Sequence, residues 1–219
     1  LEEEEILKIV NLKALESSSN IDTWKLILAS SSPRRKKILE ALKINFEIIK
    51  PESVTERYFK SPYVTAKHNS SIKAHFVYNH AIMNNSNYRN AVIAGFDTIV
   101  YFNGRYVGKP ANKEEALFFL EMLSGNTHKV ITGLTVLNGE TGEFITDCET
   151  TLVYFRKMNR KWIRHYIEVE DVLDKAGAYD IYGLGAIFVE KIKGCFYNVA
   201  GLPVFKFLNL LEKFKLIIY

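Results

Sequence analysis

Cysteine is nearly absent from this chain of 219 residues, which has two, Cys148 and Cys195, far apart and without a CxxC pair or flanking histidines. That excludes a disulfide framework and a Cys/His zinc site, and leaves each as a buried thiol of a reducing compartment. Long apolar runs are missing too, so no segment spans a bilayer as a helix. No signal-peptide pattern is visible, and the expected location is the cytoplasm, with no membrane partner. Charge of one sign is not in large excess: Lys and Arg number 29 against 25 Asp and Glu, a net +4. A nucleic-acid-binding protein needs a concentrated basic face. The runs Arg34-Arg35-Lys36-Lys37 and Arg156-Lys157…Arg160-Lys161 are too short for that, so nucleic acid is not an expected partner. No internal repeat is present.

What is there suits a soluble globular protein, with 47% apolar and 25% charged residues, enough for one large domain or two lobes around a cleft. Residues 1–22 pair an acidic, helix-spaced start with a Ser-rich stretch and read as an extension. From residue 23 onward strands and helices alternate. Trp24–Ala29 reads as a strand, and Pro33 fits the first turn of a helix. Further strands are expected near 46–49, 91–96, 99–102, 129–137 and 143–155, then 187–192 and 195–199. Asn103-Gly104 is a tight hairpin turn. Helices are expected near 66–83, 113–123, 159–167 and 203–214. Such mixing along the whole length indicates an α/β fold with a mixed sheet flanked by helices.

Five segments carry chemistry-bearing residues. Ser30-Ser31-Ser32-Pro33-Arg34-Arg35 ends a strand and opens a helix, where free N–H groups, hydroxyls and guanidinium donors suit an anion. Taken alone it equally reads as a serine cap before solvent-facing basic residues. Asp97, in Gly95-Phe96-Asp97-Thr98, follows an apolar run, and a buried carboxylate there is costly unless paired or bound to metal. Lys109 in Gly108-Lys109-Pro110 offers a point charge for phosphate. Ser124-Gly125-Asn126-Thr127-His128 leads to Thr132-Gly133; His128 there is either a base or a structural histidine, the second being commoner. Asp174-Lys175-Ala176-Gly177-Ala178-Tyr179 places an acid for metal beside a lysine for phosphate, or a helix cap beside a solvated lysine.

Together, and in this order, these segments and the closing Asn198-Val199-Ala200-Gly201-Leu202-Pro203 resemble the Maf family, from about Lys25 to the last helix. The resemblance implies a fold like that of the inosine-triphosphate pyrophosphatases: an elongated mixed sheet with two lobes around a central cleft. It implies hydrolysis of nucleoside triphosphates between the α and β phosphates, with Mg²⁺ or Mn²⁺, by a protein that often forms homodimers. By residue, it implies phosphate binding by Ser30 and Arg34 with Arg35 beside them. It implies a proton acceptor at Asp97, catalytic lysines at Lys73 and Lys109, and a metal held by Asp97 with Glu56, Glu52 being the alternative. The motif is closest to the dTTP/UTP subfamily, where base choice involves the counterparts of Arg34 and Thr98 and a glutamine. Tyr182 stands in that glutamine's place, offering a ring face and one hydroxyl instead of an amide. The readings of other classes are a non-hydrolysing nucleotide-binding regulator of cell division and a nucleic-acid-binding module.

Overall fold

Short β-branched apolar segments build the centre of the molecule. The computed structural model describes residues 24–214 apart from residues 84 and 89, so the expected extension at 1–22 lies outside the described residues. The strands are β1 (Lys25–Ala29), β2 (Phe46–Ile48), β3 (Ala91–Phe102), β4 (Arg105–Val107), β5 (Thr127–Asn138), β6 (Phe144–Phe155) and β7 (Val189–Lys193). They form one mixed sheet in the order β2-β1-β3-β5-β6-β7, with β4 hairpinned onto β3. β1 runs parallel to β2 and β3, and β5, β6 and β7 follow antiparallel. The helices are α1 (Pro33–Ala41), α2 (Pro62–Val77), α3 (Lys113–Leu123), α4 (Arg160–Val169), α5 (Phe196–Val199) and α6 (Val204–Lys213). The α/β class with a mixed sheet is therefore as expected. Among the described residues no helix is long and apolar enough to cross a membrane.

Strand alternation divides the helices between two faces. On one face Leu26, Leu28, Val92, Ala94 and Phe96 pack with α1 and α6 through Ile38, Leu39, Phe207 and Leu210. Farther along that face Val100, Val130, Val153 and Phe155 pack with α3 and α4 through Leu120, Leu123, Ile163 and Tyr166. Between these two apolar clusters lies a polar row, Thr98 and Thr132, cross-strand partners on β3 and β5. The opposite face of β1, β3 and β5 is covered by α2, through Ala66, Ala74 and Val77.

α2 lies unusually close to the sheet because two glycines lack side chains there. A Cβ on Gly95 would stand 2.4 Å from the Ser70 carbonyl oxygen, and one on Gly133 would stand 2.0 Å from the Ala66 carbonyl oxygen. Gly133 therefore lies directly under a helix.

Four expectations need correcting. The segments 91–96 and 99–102 are one twelve-residue strand, so Asp97 lies inside a strand and not at its end; β5 pairs with it from Val92 to Tyr101, which leaves no break. α2 begins at Pro62, four residues earlier than expected, and gives way after Val77 to a π-helical turn, Tyr78–Ile82. The segment 195–199 is the short helix α5, because Gly194, at φ 127°, turns the chain out of the sheet. The two thiols are free but only half-buried.

Gly133→Ala is expected to lower the unfolding free energy by about 1–3 kcal/mol, the usual cost of overpacking a close contact. Urea denaturation of the variant checks it; an unchanged midpoint would mean that the α2 contact does not constrain the fold.

Candidate active site

β1 stops at Ala29, beside Gly95, while β3 runs on to Phe102. The edge of β3 from Phe96 to Ile99 is thus left open, between the end of β1 and the β4 hairpin that takes it up again at Val100, and the Ser30–Ser32 loop turns away into α1 at that point. Pro33 occupies the first helical turn, where its missing N–H costs nothing. Two polar groups meet at this open edge, one on each face of β3.

On the α2 side sits Asp97, 6% exposed. Its Oδ1 accepts a hydrogen bond from Lys73 Nζ at 2.6 Å, and its Oδ2 a longer one from Asn69 Nδ2 at 3.3 Å. Asn69 and Lys73 are four residues apart and so share one face of α2. The amide of Asn69 is oriented by the Arg57 backbone N–H, which donates to its Oδ1 at 2.9 Å. The same Lys73 ammonium donates to Glu56 Oε1 at 2.6 Å, so one cation joins the carboxylates of two distant segments. Burial opposes ionisation of Glu56. The charge and hydrogen bond of Lys73, with Lys109 and Arg35 beyond it, outweigh burial and hold its carboxyl below the usual range. The exposed Lys109 therefore lies within electrostatic reach of Glu56. The side chain of Glu52 makes no hydrogen bond or ion pair among the described residues.

On the other side sit Ser30 and Thr98 with Arg35 between them. Arg35, expected beside Arg34 on the phosphate loop, is 9% exposed, and each of its nitrogens has a protein acceptor. Nε donates to the Gly201 carbonyl at 2.8 Å, Nη1 to Ser30 Oγ at 2.9 Å and Nη2 to Thr98 Oγ1 at 3.0 Å. Burial pushes its pKa down to about 10, still charged at neutral pH. The chain of bonds continues from Thr98 to Thr132 Oγ1 at 3.0 Å, and from Thr132 to the Asn198 carbonyl at 3.1 Å.

Arg34 is half-buried and lies 3.6 Å from Asp180 and 4.0 Å from Asp174. Lys175 is buried, and its ammonium donates to the Asp171 carbonyl and to Asp174 Oδ1. Its reach is spent within its own loop, contrary to the expectation of a lysine extended toward phosphate. That loop is joined to the Lys109 turn by the Gly177 N–H, which donates to the Gly108 carbonyl at 3.0 Å. Tyr182 is 40% exposed; its N–H donates to Asp180 Oδ1, and its ring meets Phe196 edge-on at 5.2 Å. The structure thus brings together Ser30, Arg35 and Thr98, separately joins Glu56, Lys73 and Asp97, and places Arg34 against the loop holding Lys175.

Asn69, Asp180, Thr132 and Asn198 were missed as partners. Asn69 was legible, one helical turn before Lys73; the others touch the site through contacts far apart in sequence.

His128 is the structural histidine, not the base. It is 1% exposed, its Nε2 pairs with the Tyr179 hydroxyl at 2.8 Å, and its Nδ1 has no partner among the described residues. Burial pushes its pKa down to about 4.

The protein family described as Maf-like protein matches residues 25–214. A dTTP/UTP pyrophosphatase of Clostridium perfringens (strain ATCC 13124) is 40% identical over 203 residues, 89% of this chain and 99% of its own. A dTTP/UTP pyrophosphatase of Alkaliphilus metalliredigens (strain QYMF) is 44% identical over 191 residues, 86% of this chain and 95% of its own. A solved Ham1 protein of Staphylococcus aureus superposes with a TM-score of 0.40 at 12% identity, over 60% of this chain and 71% of that one, too low to bear on fold or chemistry.

Because His128 is kept neutral in the folded state, the unfolded chain takes up its proton first. The stability that depends on neutral His128 is complete above pH 6.5 and is lost as pH falls from 6.5 toward about 4. His128→Gln is expected to flatten that loss by about 2–3 kcal/mol between pH 7.5 and 4.5. Denaturant unfolding at the two pH values measures it; parallel profiles would assign the acid sensitivity elsewhere.

Proposed function

The chain belongs to the family of Maf-like proteins, and from that premise we propose that it is a nucleoside triphosphate pyrophosphatase with a preference for pyrimidine triphosphates. The observation that carries the reading is the single ammonium of Lys73 gripping Asp97 and Glu56 beside the open edge of β3, with Ser30 and Arg35 at the other side of that edge. The relatives named dTTP/UTP pyrophosphatase support the substrate class, since their likeness to this chain spans nearly their whole length.

A divalent cation fits the donors. The two carboxylates already hold one cation, Lys73, through oxygens each 2.6 Å from its nitrogen. With that ammonium counted, the trio keeps one net negative charge. Magnesium bound with a nucleotide needs only one or two protein carboxylates, the phosphates supplying further oxygens. Glu56 and Asp97 would hold the ion, which supplies Lewis acidity and cancels phosphate charge.

The chain's own residues do the rest. The cations of Arg34 and Lys109 and the Ser30 hydroxyl hold the triphosphate along the edge of β3. Asp97 Oδ2, engaged only by the long Asn69 contact, accepts the proton of a water aimed at the α phosphorus. Water oxygen bonds to that phosphorus, and the bond from it to the α–β bridging oxygen breaks. The bridging oxygen leaves with pyrophosphate, its charge met by the same cations, and the monophosphate remains. Lys73 holds Asp97 in its orientation through the bond to Oδ1. Tyr182, joined through Asp180 to Arg34, is placed to meet the base with its ring face. The reading extends to a homodimer working in the cytoplasm and taking no nucleic acid; sedimentation of the pure chain tests the dimer.

Pyrophosphate release from a panel of nucleoside triphosphates tests the proposal. Release is expected with Mg²⁺ or Mn²⁺ and is expected to stop with chelator. Asp97→Asn should lower kcat by roughly 10²–10⁴-fold with the fold intact. A folded wild-type chain that binds nucleotide and releases nothing would instead be a regulator. Tyr182→Gln, which restores an amide to the base site, should change the ratio of kcat/KM for UTP over CTP by about tenfold or more. An unchanged ratio would remove Tyr182 from base choice.

A further inference from the structure

The directions of the hydrogen bonds around Arg35 are forced. A guanidinium only donates, so Ser30 Oγ and Thr98 Oγ1 must both accept from it. The Asn198 carbonyl only accepts, so Thr132 donates its single hydroxyl hydrogen there. Toward Thr98 it is therefore an acceptor, and Thr98 must donate to it. Thr98 has then spent its hydrogen and keeps one lone pair. Ser30 is in the opposite state. Its oxygen accepts from Arg35 Nη1 at 2.9 Å and from the Ser32 N–H at 3.2 Å, which fills both lone pairs. Its hydroxyl hydrogen has no protein acceptor among the described residues.

We propose that Arg35 is a positioning residue which, with the Thr132–Asn198 pair fixing the hydrogen of Thr98, holds these two hydroxyls in opposite senses, Ser30 as a donor and Thr98 as an acceptor. The inference rests on the pyrophosphatase reading and deepens it. Ser30 is left to donate to an anionic phosphate oxygen. Thr98 cannot donate to phosphate, and any ligand group that touches it must carry an N–H or O–H. Arg35 acts through these hydroxyls and through the Gly201 carbonyl, held in a turn at φ 101° where a Cβ would come within 3.4 Å of Thr98 Oγ1. Arg34, half-buried beside it, has only the longer contacts to Asp180 and Asp174 and is the guanidinium left to meet a phosphate.

A double-mutant cycle separates action through Ser30 from direct contact. Ser30→Ala and Arg35→Gln, alone and together, are compared by kcat and KM for the best nucleotide. Each single change is expected to lower kcat/KM by about 10–100-fold, and the double variant should fall no more than about threefold below the worse single. Losses that multiply in the double variant overturn the proposal, as does an Arg35→Gln enzyme within twofold of wild type. A wild-type chain without pyrophosphatase activity overturns the reading of the reaction instead. In that case, or if Arg35→Gln does not fold, neutron diffraction from the unliganded wild-type protein decides. Deuterium on Thr98 Oγ1 lying toward Thr132, and on Ser30 Oγ lying away from Arg35 and Ser32, sustains the proposal. Deuterium on Thr98 lying elsewhere than toward Thr132 overturns it.

Discussion

The close seating of α2 on Gly95 and Gly133 is the constraint on which the site depends. Asp97 is two residues from Gly95 along β3 and opposite Gly133 across the ladder, so both glycines lie beside it on the face that α2 covers. With side chains there, the helix backbone would have to stand farther off, and Lys73 and Asn69 would lift away from the carboxylate. A buried ionised carboxylate without a partner costs several kcal/mol. The glycines therefore make Asp97 tolerable in the core edge by bringing its counter-charge within 2.6 Å.

The second constraint is strand alternation. Asp97 and Thr98 are neighbours in sequence and point to opposite faces of the sheet. In the interior of a sheet, strands on either side would keep two such groups from a common ligand. Here β1 ends at Ala29 and β4 begins to pair only at Val100, so a molecule lying along the short bare stretch of β3 between them can touch both. The same ending places the start of α1 at that edge, which is why a strand-to-helix turn and a mid-strand aspartate belong to one site. On the Thr98 side the polar row falls between two separate apolar clusters. A site between two cores needs no cavity in either.

Much of this was legible from local pattern. The β-branched strands, Pro33 at the start of α1 and the Asn103-Gly104 turn, both residues at positive φ, need only short-range chemistry. Asp97 was conspicuous because an acid in an apolar run demands a partner, and its partner is Lys73, shared with Glu56. What was not legible required distance. Arg34 and Arg35 are adjacent and chemically identical, yet one meets Asp174 and Asp180 and the other the Gly201 carbonyl, 166 positions away. No periodicity separates them; only the packing of the 198–201 turn against Thr98 does. The partners of Lys175 were hidden for the same reason, its acceptors being supplied by the fold of its own loop. The misread strand at 195–199 shows the weakness of β-propensity in a segment whose geometry is set by one glycine and by Asn198, buried against Val130 and Thr151.

The charges of the site already compensate one another without a ligand. Lys73 is shared by Asp97 and Glu56, Arg34 by Asp174 and Asp180, and Lys175 is held by Asp174. Lys109 has no ion pair among the described residues. A highly charged anion approaching this edge meets four carboxylates as well as the cations, and must draw Arg34 partly away from acids that it now pairs. Binding is favourable when the acids gain something in exchange, and on the proposed function a divalent cation arriving with the phosphates would supply it. On the proposed reading, metal and nucleotide therefore favour each other's binding, because each neutralises the charge that the other leaves exposed. The resting ion pairs then serve a purpose beyond stability: they hold the acids and bases in place until a ligand of mixed charge displaces them.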